Sequence, residues 1–550
     1  MVAFVKQSHV PGLAVGVVVD GRLAYFKGFG VRDVASGAPV DEETVFRIAS
    51  MTKSFVSASV LRLRDEGKLS LDDPAEKYLP ELKALRYPTR DSPRLTVRHL
   101  LSHSAGLPED NATADLRMPM ADAEFDALLS HGLSFSTAPG TRYEYANLGF
   151  ALAGRLVTRV SGERLQDYVS RHLLAPLGMS ATGWDGAAVP EAHRAHGYGR
   201  KGSNMPSAGL ARYQDDAPHE EPMLADGAWA PIGGLWTSPR DYARWVAFQL
   251  SATPPRDDPD DGPVRRASLR ESQSVQRAYD FDAALDPQGL PRVGAGGYGL
   301  GWGIGDNCSF ETHVVTHGGG LPGYGSVVML APETGVGAFA MTNLTYTGAS
   351  KLVRELLGSL QEQGLLPSRP QPPAPQLERA RDEVTALMMQ WDAPRAAALF
   401  DALHASYEPP AKLRERLEKM HAVHGACRAG AAIEPENRLR GTALLACDRG
   451  GLALGLELTS DAPPRIQALV MDSILPPSPA LEALAARTVP LLARWDDGEA
   501  ARAFEDDARD NARSLFRTVR ATHGACRAGV AVRGDGAKAA TFRLDRKSVV

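Results

Sequence analysis

The chain has 550 residues, 43% of them hydrophobic and 23% charged, with a net charge of −5. That length supports a large core and more than one domain, while the slight negative charge supplies no basic field for nucleic acid or an anionic membrane surface. The apolar segments are short and interrupted, so no membrane span is expected. The cysteines, Cys308, Cys427, Cys447 and Cys526, are too sparse for a disulfide framework and lack metal-ligand spacing, so free thiols, no metal and no cofactor are expected.

No basic-then-apolar leader precedes Pro11-Gly12. As written, the chain is expected in the cytoplasm, and in the periplasm or outside the cell if its true start lies further upstream. Leu13 to Val19 is an apolar, Val-rich run, and Asp20-Gly21 signals a hairpin before Arg22 to Phe29. Next comes Phe46-Arg47-Ile48-Ala49-Ser50-Met51-Thr52-Lys53-Ser54-Phe55, opening a helix that ends by Gly67. Ser54 to Leu61 is uncharged and small or apolar, the pattern of a helix buried almost all round. Turns are read at Ser102 to Pro108 and Ala138 to Gly140, and helices over Phe150 to Ser161, Leu165 to Leu174 and Tyr242 to Leu250. Pro254 to Arg266, rich in Pro and Asp, reads as an exposed loop. Strands follow at Tyr298 to Ile304, His313 to His317, Gly325 to Leu330 and Gly337 to Thr342, then a helix over Ser350 to Leu360. Hairpins at both ends of this region predict one antiparallel sheet built from both termini, with the middle helices forming a lobe across a cleft.

Residues 1–365 therefore form the first domain, and the five prolines of 366–376 read as a semi-rigid linker. Beyond it the chain repeats itself. Trp391-Asp392 and Phe400 match Trp495-Asp496 and Phe504, and His424-Gly425-Ala426-Cys427-Arg428-Ala429-Gly430 matches His523-Gly524-Ala525-Cys526-Arg527-Ala528-Gly529. Two α+β units are expected, 377–476 and 477–550, each with two helices first, the second stopping before its last strands. Recurrence of Cys427 and Cys526 at equivalent positions suggests small packing residues, and Trp391 and Trp495 read as core anchors. The tail resembles the small cone-shaped domains of the nuclear transport factor and cystatin-like class.

Ser50 and Lys53 lie one helical turn apart, so their side chains share a face. Lys53 is the only charged residue between Arg47 and Arg62. An ammonium with an ordinary pKa near ~10.4 is almost never neutral at pH 7, and a shift of about three units, roughly 4 kcal/mol, is needed to make it a base. Burial and a neighbouring cation both push that way. A tyrosine beside a cation is the complementary route, since positive charge stabilises phenolate, and the sequence offers Tyr145 in Tyr145-Ala146-Asn147. His317-Gly318-Gly319-Gly320 ends a strand with residues that let a substrate lie along its edge. The pairs His99/His103 and His313/His317 lack the Glu and third ligand of a metal site, so structural roles are expected, with His103 and Ser104 fixing a turn.

The set S-x-x-K, Y-x-N and H-x-G appears in that order, together with Val10-Pro11-Gly12, His99 to Pro108, Ile232-Gly233-Gly234-Leu235 and Gly318 to Tyr324. On these motifs residues 10–360 resemble the serine β-lactamase-like hydrolases of the class C β-lactamase, penicillin-binding esterase and D-aminopeptidase type. The resemblance implies an α+β, β-lactamase/transpeptidase-like domain: an antiparallel sheet flanked by helices, plus a helical lobe. It implies Ser50 as nucleophile, Lys53 as its proton partner and Tyr145 as general base and then acid. It further implies that Asn147 binds the substrate amide and holds Lys53, that His317, Gly319 and Gly320 line the substrate, and that Ser50 and Gly320 N–H groups form the oxyanion hole. His317 stands where the β-lactamases of this group carry a lysine, which weakens attraction for a carboxylate. The implied activity is a Ser50 acyl-enzyme hydrolase of an ester or amide. The alternatives are a D-amino-acid peptidase, a β-lactamase, or a penicillin-binding protein that acylates without turnover.

Overall fold

The computed structural model describes residues 1–200, 217–279, 282–285, 291–307, 312–430, 432–523, 526–534, 539 and 541–546. Two compact units divide the chain, Met1–Ser368 and Arg369–Val550. No helix among the described residues is long and apolar enough to cross a membrane.

In the first unit Gly12–Val19 and Arg22–Asp33 form the expected hairpin. Asp20 and Gly21 turn it with φ of 51° and 76°, in the left-handed region that Gly and Asp enter at least cost. Gly12–Val19 then pairs antiparallel with Val336–Thr342, from Leu13 opposite Thr342 to Val19 opposite Val336. Beyond that seam lie, in order, Tyr324–Ala331, Thr312–Leu321, Gly303–Asn307, Pro291–Tyr298 and Arg277–Ala278. The chain's early hairpin and its late strands thus share one antiparallel sheet.

The central strands are apolar on both faces because both faces are covered. Leu13, Val15, Val17, Val327, Met329, Ala338 and Ala340 pack with Leu352, Val353 and Leu357 of the helix Ser350–Glu362. The alternate residues Ala14, Val18, Val328, Leu330, Phe339 and Met341 join the core of the helical lobe. Gly16 sits opposite Phe339, where a Cβ would come within 2.3 Å of the ring.

The helix Lys53–Asp65 runs through that lobe with Lys53 to Leu61 and Leu63 all buried. Phe55 stacks on Trp245 of the helix Pro239–Leu250, with ring centroids 3.8 Å apart. Its buried hydroxyls are satisfied locally or by neighbours: Ser54 Oγ accepts from Trp245 Nε1, and Ser57 Oγ donates to the Leu300 carbonyl. Two expectations shift. Ser50 lies not on the α-helix but on a tight 3₁₀ turn, Ala49–Thr52, leading into it. Tyr298 to Ile304 is not one strand but the turn joining Pro291–Tyr298 to Gly303–Asn307. Gly301 supplies the φ of 80° that this turn requires, and Gly299 passes so close to the Ser272 carbonyl that a Cβ would lie 2.1 Å from it.

The second unit opens with helices Pro375–Met389, Ala393–Leu399, Ala402–Tyr407 and Pro410–His424, more than the two expected, and continues into the sheet containing Arg440–Cys447, Gly451–Leu458 and Ile466–Ile474. The repeated Trp-Asp pair has a local cause. Asp392 and Asp496 each cap a short helix, accepting from Arg395 N and Glu499 N at 2.9 Å. The expectation of free thiols fails: Cys427 and Cys447 form a disulfide. The two residues face each other across paired antiparallel strands, a proximity made by register over a separation of 20 residues and invisible as spacing. In the second repeat the same register places Arg546 opposite Cys526. Ellman titration of the denatured protein should therefore detect at least two more thiols per chain after reduction than before. Equal counts would eliminate the Cys427–Cys447 bond.

Candidate active site

Ser50 stands between the sheet and the helical lobe on a strained corner. Ala49, just before it, has a φ of 47°, a left-handed conformation costly for a residue with a Cβ. The surroundings hold it there. Ile48 N donates to the Leu235 carbonyl at 3.0 Å, and the Ile48 carbonyl accepts from Ser326 Oγ at 2.8 Å. The Ile232-Gly233-Gly234-Leu235 motif fits because a Cβ at Gly233 would press on Ala49 at 3.3 Å and one at Gly234 on Asp226 at 2.5 Å. Buried Arg47 anchors the same segment, ion-paired with Asp226 and donating to the Leu224 carbonyl at 2.7 Å.

Lys53 has no exposed surface. Its Nζ lies 2.9 Å from Ser50 Oγ and donates to the Ile232 carbonyl at 2.8 Å, over the Tyr145 ring at 5.2 Å. Burial lowers its pKa to about 7, against the opposing pull of Asp110 and Asp115. Tyr145 is half-buried, and desolvation of its phenol raises it above its ordinary range, the Ser50 hydroxyl acting in the other direction. Lys53 is thus brought into the neutral range and Tyr145 moved further from it.

Tyr145 is held from below by His103. The imidazole packs against the phenol ring with centroids 4.0 Å apart and the planes tilted by 32°, its Nδ1 accepts from Ala146 N at 3.1 Å, and the His103 carbonyl accepts from Glu144 N at 2.8 Å. The backbone is therefore gripped on both sides of Tyr145. Burial and Lys53 keep His103 neutral at physiological pH. His99 is also structural, its Nδ1 accepting from Thr96 N at 3.2 Å in a capping box.

A cavity of about 310 Å³ opens on Ser50 and is lined by Tyr145, Asn147, Ile232, Gly318, Gly319, Gly320, Leu321, Asn111, Asp115 and Tyr346. The glycines serve different ends. A Cβ at Gly319 would strike Ser326 Oγ at 2.3 Å and the Ile48 carbonyl oxygen at 2.4 Å, and one at Gly320 would strike the Tyr346 ring at 2.4 Å. Only at Gly318 is the space open, with a single atom just inside 4 Å. His317 does not line the cavity. Its Nε2 accepts from Tyr298 O–H at 2.8 Å and its Nδ1 donates to the Gly318 carbonyl at 2.6 Å. Burial and Lys53 lower its pKa to about 3, so the ring is neutral and positions the strand end. Asn147 reaches the cavity, but its amide nitrogen bonds Asp110 Oδ1 at 3.0 Å and Asn111 Oδ1 at 2.9 Å in place of the expected hold on Lys53.

Sequence reasoning did not find Asp110, Asn111, Asp115, Tyr298 or Tyr346. Asp110 and Asn111 follow directly on the Ser102 to Pro108 turn and Glu109, the one available signal. Asp110 caps the helix Asn147–Ser161 from outside it, accepting from Asn147 N at 2.7 Å and Leu148 N at 2.9 Å, so this helix starts ahead of the Phe150 expected.

The fold is the β-lactamase/transpeptidase-like architecture, with Ser50 and Tyr145 lining one cavity and Lys53 against the serine hydroxyl. The family model described as Beta-lactamase matches residues 1–361, and the chain belongs to that family. It is 27% identical over 352 residues to Protein flp of Staphylococcus aureus (strain MW2), covering 64% of this chain and 63% of that protein. It is 26% identical over 367 residues to Unguisins hydrolase ungD of Aspergillus violaceofuscus, covering 64% of this chain and 62% of that one. The chain thus spans less than two thirds of the length of these curated relatives. Among solved structures, the octameric penicillin-binding protein homologue from Pyrococcus abyssi has the same fold, with a TM-score of 0.53 and 21% identity over 84% of this chain and 95% of that one.

Asp110→Ala removes a carboxylate that accepts three N–H groups. It should lower unfolding stability by about 1–2 kcal/mol, as loss of a helix cap does. Urea denaturation followed by tryptophan fluorescence measures this, and an unchanged midpoint would show that the cap contributes nothing.

Proposed function

We propose that the protein hydrolyses an ester or amide through an acyl-enzyme on Ser50, with Lys53 and Tyr145 moving the protons. The observation that carries the reading is a fully buried lysine 2.9 Å from a serine hydroxyl with its pKa lowered to about 7. A serine hydroxyl needs a base to become a nucleophile, and an amine that is half neutral at pH 7 is well matched to that task.

Ser50 Oγ attacks the substrate carbonyl as its proton passes to neutral Lys53. The oxyanion is received by the backbone N–H groups of Ser50 and Gly320, each such donor being worth roughly 10²–10³ in rate. Tyr145, between the amine and the substrate, gives its proton to the leaving group and regains one from the Lys53 ammonium. Water then attacks the acyl-enzyme, its proton passing to the amine and another returning to Ser50. The motif resemblance gave the base's part to Tyr145. Burial disfavours phenolate here, so that part falls to Lys53 and Tyr145 serves as the donor. Hydrolysis in full, as opposed to acylation without turnover, is also supported by the name of the Aspergillus relative.

Ser50→Ala should abolish hydrolysis of a p-nitrophenyl ester, and Lys53→Ala and Tyr145→Phe should each reduce it about 10²–10⁴-fold with the fold intact by circular dichroism. Because only neutral Lys53 accepts the proton, kcat/KM should rise with pH, reach half its plateau near the lysine's pKa of about 7, and level above it. Full activity in Lys53→Ala, or a pH profile flat from 5 to 9 (roughly the window that brackets such a base), would remove the assignment.

A further inference from the structure

Asp115 is the single side chain lining the Ser50 cavity that carries a charge near neutral pH. The other lining groups are a serine, two asparagines, two tyrosines and apolar or glycine residues. The carboxylate has one hydrogen-bond partner, the Tyr346 hydroxyl, and no ion pair among the described residues. The cations around it are committed elsewhere. Arg47 is paired with Asp226, and Lys53 is held by Ser50 and the Ile232 carbonyl. Asp110, the neighbouring carboxylate, is consumed by the start of the helix Asn147–Ser161.

Tyr346 is itself held at a cost. Its φ is 49°, a left-handed conformation unfavourable for a bulky residue. The strain sets its ring against Gly320, leaving no room for a Cβ there, and brings its hydroxyl to Asp115. A carboxylate oriented by a strained tyrosine, facing a small cavity and left without a cation, is an acceptor whose counter-charge has to come from outside. Burial pushes the Asp115 pKa up to about 6, the mark of a carboxylate not fully compensated, yet it remains ionised at pH 7 and above.

We infer that Asp115, oriented by Tyr346, is a specificity-determining residue that receives a protonated primary amine on the substrate's acyl group. This rests on the hydrolase reading and narrows it. A cavity of about 310 Å³ that holds both the nucleophile and the carboxylate requires the amine and the scissile carbonyl to be close together. The substrate class is therefore an amino-acid ester or amide, or a peptide cut next to a free N-terminus. Neutral His317 offers no opposing charge for a carboxylate, so an anionic acyl group meets Asp115 with nothing to offset the repulsion.

The test uses the full chain and three matched p-nitroanilides: alanine, N-acetylalanine and N-succinylalanine, each in both enantiomers. The ratio of kcat/KM for free amine over acetyl should exceed about 10, since a hydrogen bond to a charged group contributes roughly 1.5–3 kcal/mol, or about 10- to 100-fold. The succinyl compound should be poorest. Asp115→Asn should reduce the amine/acetyl ratio at least about tenfold, and Asp115→Glu should restore part of it. Tyr346→Phe should lower the ratio less, and through KM. In wild type, n-butylammonium should protect Ser50 from a neutral alkyl fluorophosphonate better than n-pentane-sized neutral alcohols do, a readout that needs neither a variant nor anilide turnover. Fluorophosphonate labelling with equal protection by amine and alcohol, or anilide cleavage with a ratio near one, would overturn the subsite while leaving the hydrolase reading intact. Absence of both labelling and cleavage would overturn the hydrolase reading and the subsite together.

Discussion

The burial of one amine organises this molecule. Lys53 enters a core without any exposed surface, where a charged ammonium is costly, and the surrounding structure compensates with a single backbone carbonyl and a serine hydroxyl instead of a carboxylate. A carboxylate in contact would have made the lysine a permanent cation. With Asp110 and Asp115 acting only at a distance, the amine sits near pH 7. Much of the first unit can be understood as what is needed to keep Lys53 dry, its carbonyl partner in place and its serine at the cavity wall.

The sheet does this by closing the chain on itself. Its seam, Gly12–Val19 against Val336–Thr342, brings residues more than three hundred positions apart into register. The strand Thr312–Leu321 is thereby placed beside the turn carrying Ser50, with Gly319 close to the Ile48 carbonyl. Because both sheet faces are covered, a shift of one residue would send Phe339 and Met341 into the wrong layer, so register and site geometry are tied together. Among the described residues, left-handed non-glycine backbone occurs at His9 and Asp20 and at three residues that border the cavity or support it, Ala49, His103 and Tyr346. Each of these three is over-determined by hydrogen bonds or close packing, which is how such conformations persist.

The second unit shows the same sequence motif in two settings. Trp-Asp opens a short helix in both copies, a local device that each copy can use independently. The cysteine after His-Gly-Ala has a partner cysteine across the sheet only in the first, where Cys447 stands in the register position that Arg546 occupies in the second. Repetition of the motif thus kept its strand register and not the residue that stands across it.

Elements whose cause is local were legible in the sequence: the Asp20-Gly21 hairpin, the uncharged helix after Lys53 and the apolar strands. The S-x-x-K pair was legible for the same reason, since three residues of helical turn place both groups on one face. Its surroundings were not. That Asn147 would turn to Asp110 and Asn111, that His317 would face Tyr298 behind the strand edge, and that Cys427 would meet Cys447 all depend on contacts between distant segments. The same holds for Asp115 and Tyr346, ordinary residues in the sequence that acquire meaning by sharing a cavity wall. Which groups would be near the serine was written in short spacings, and which proton and charge each would hold was decided by burial, a property that only the assembled structure possesses.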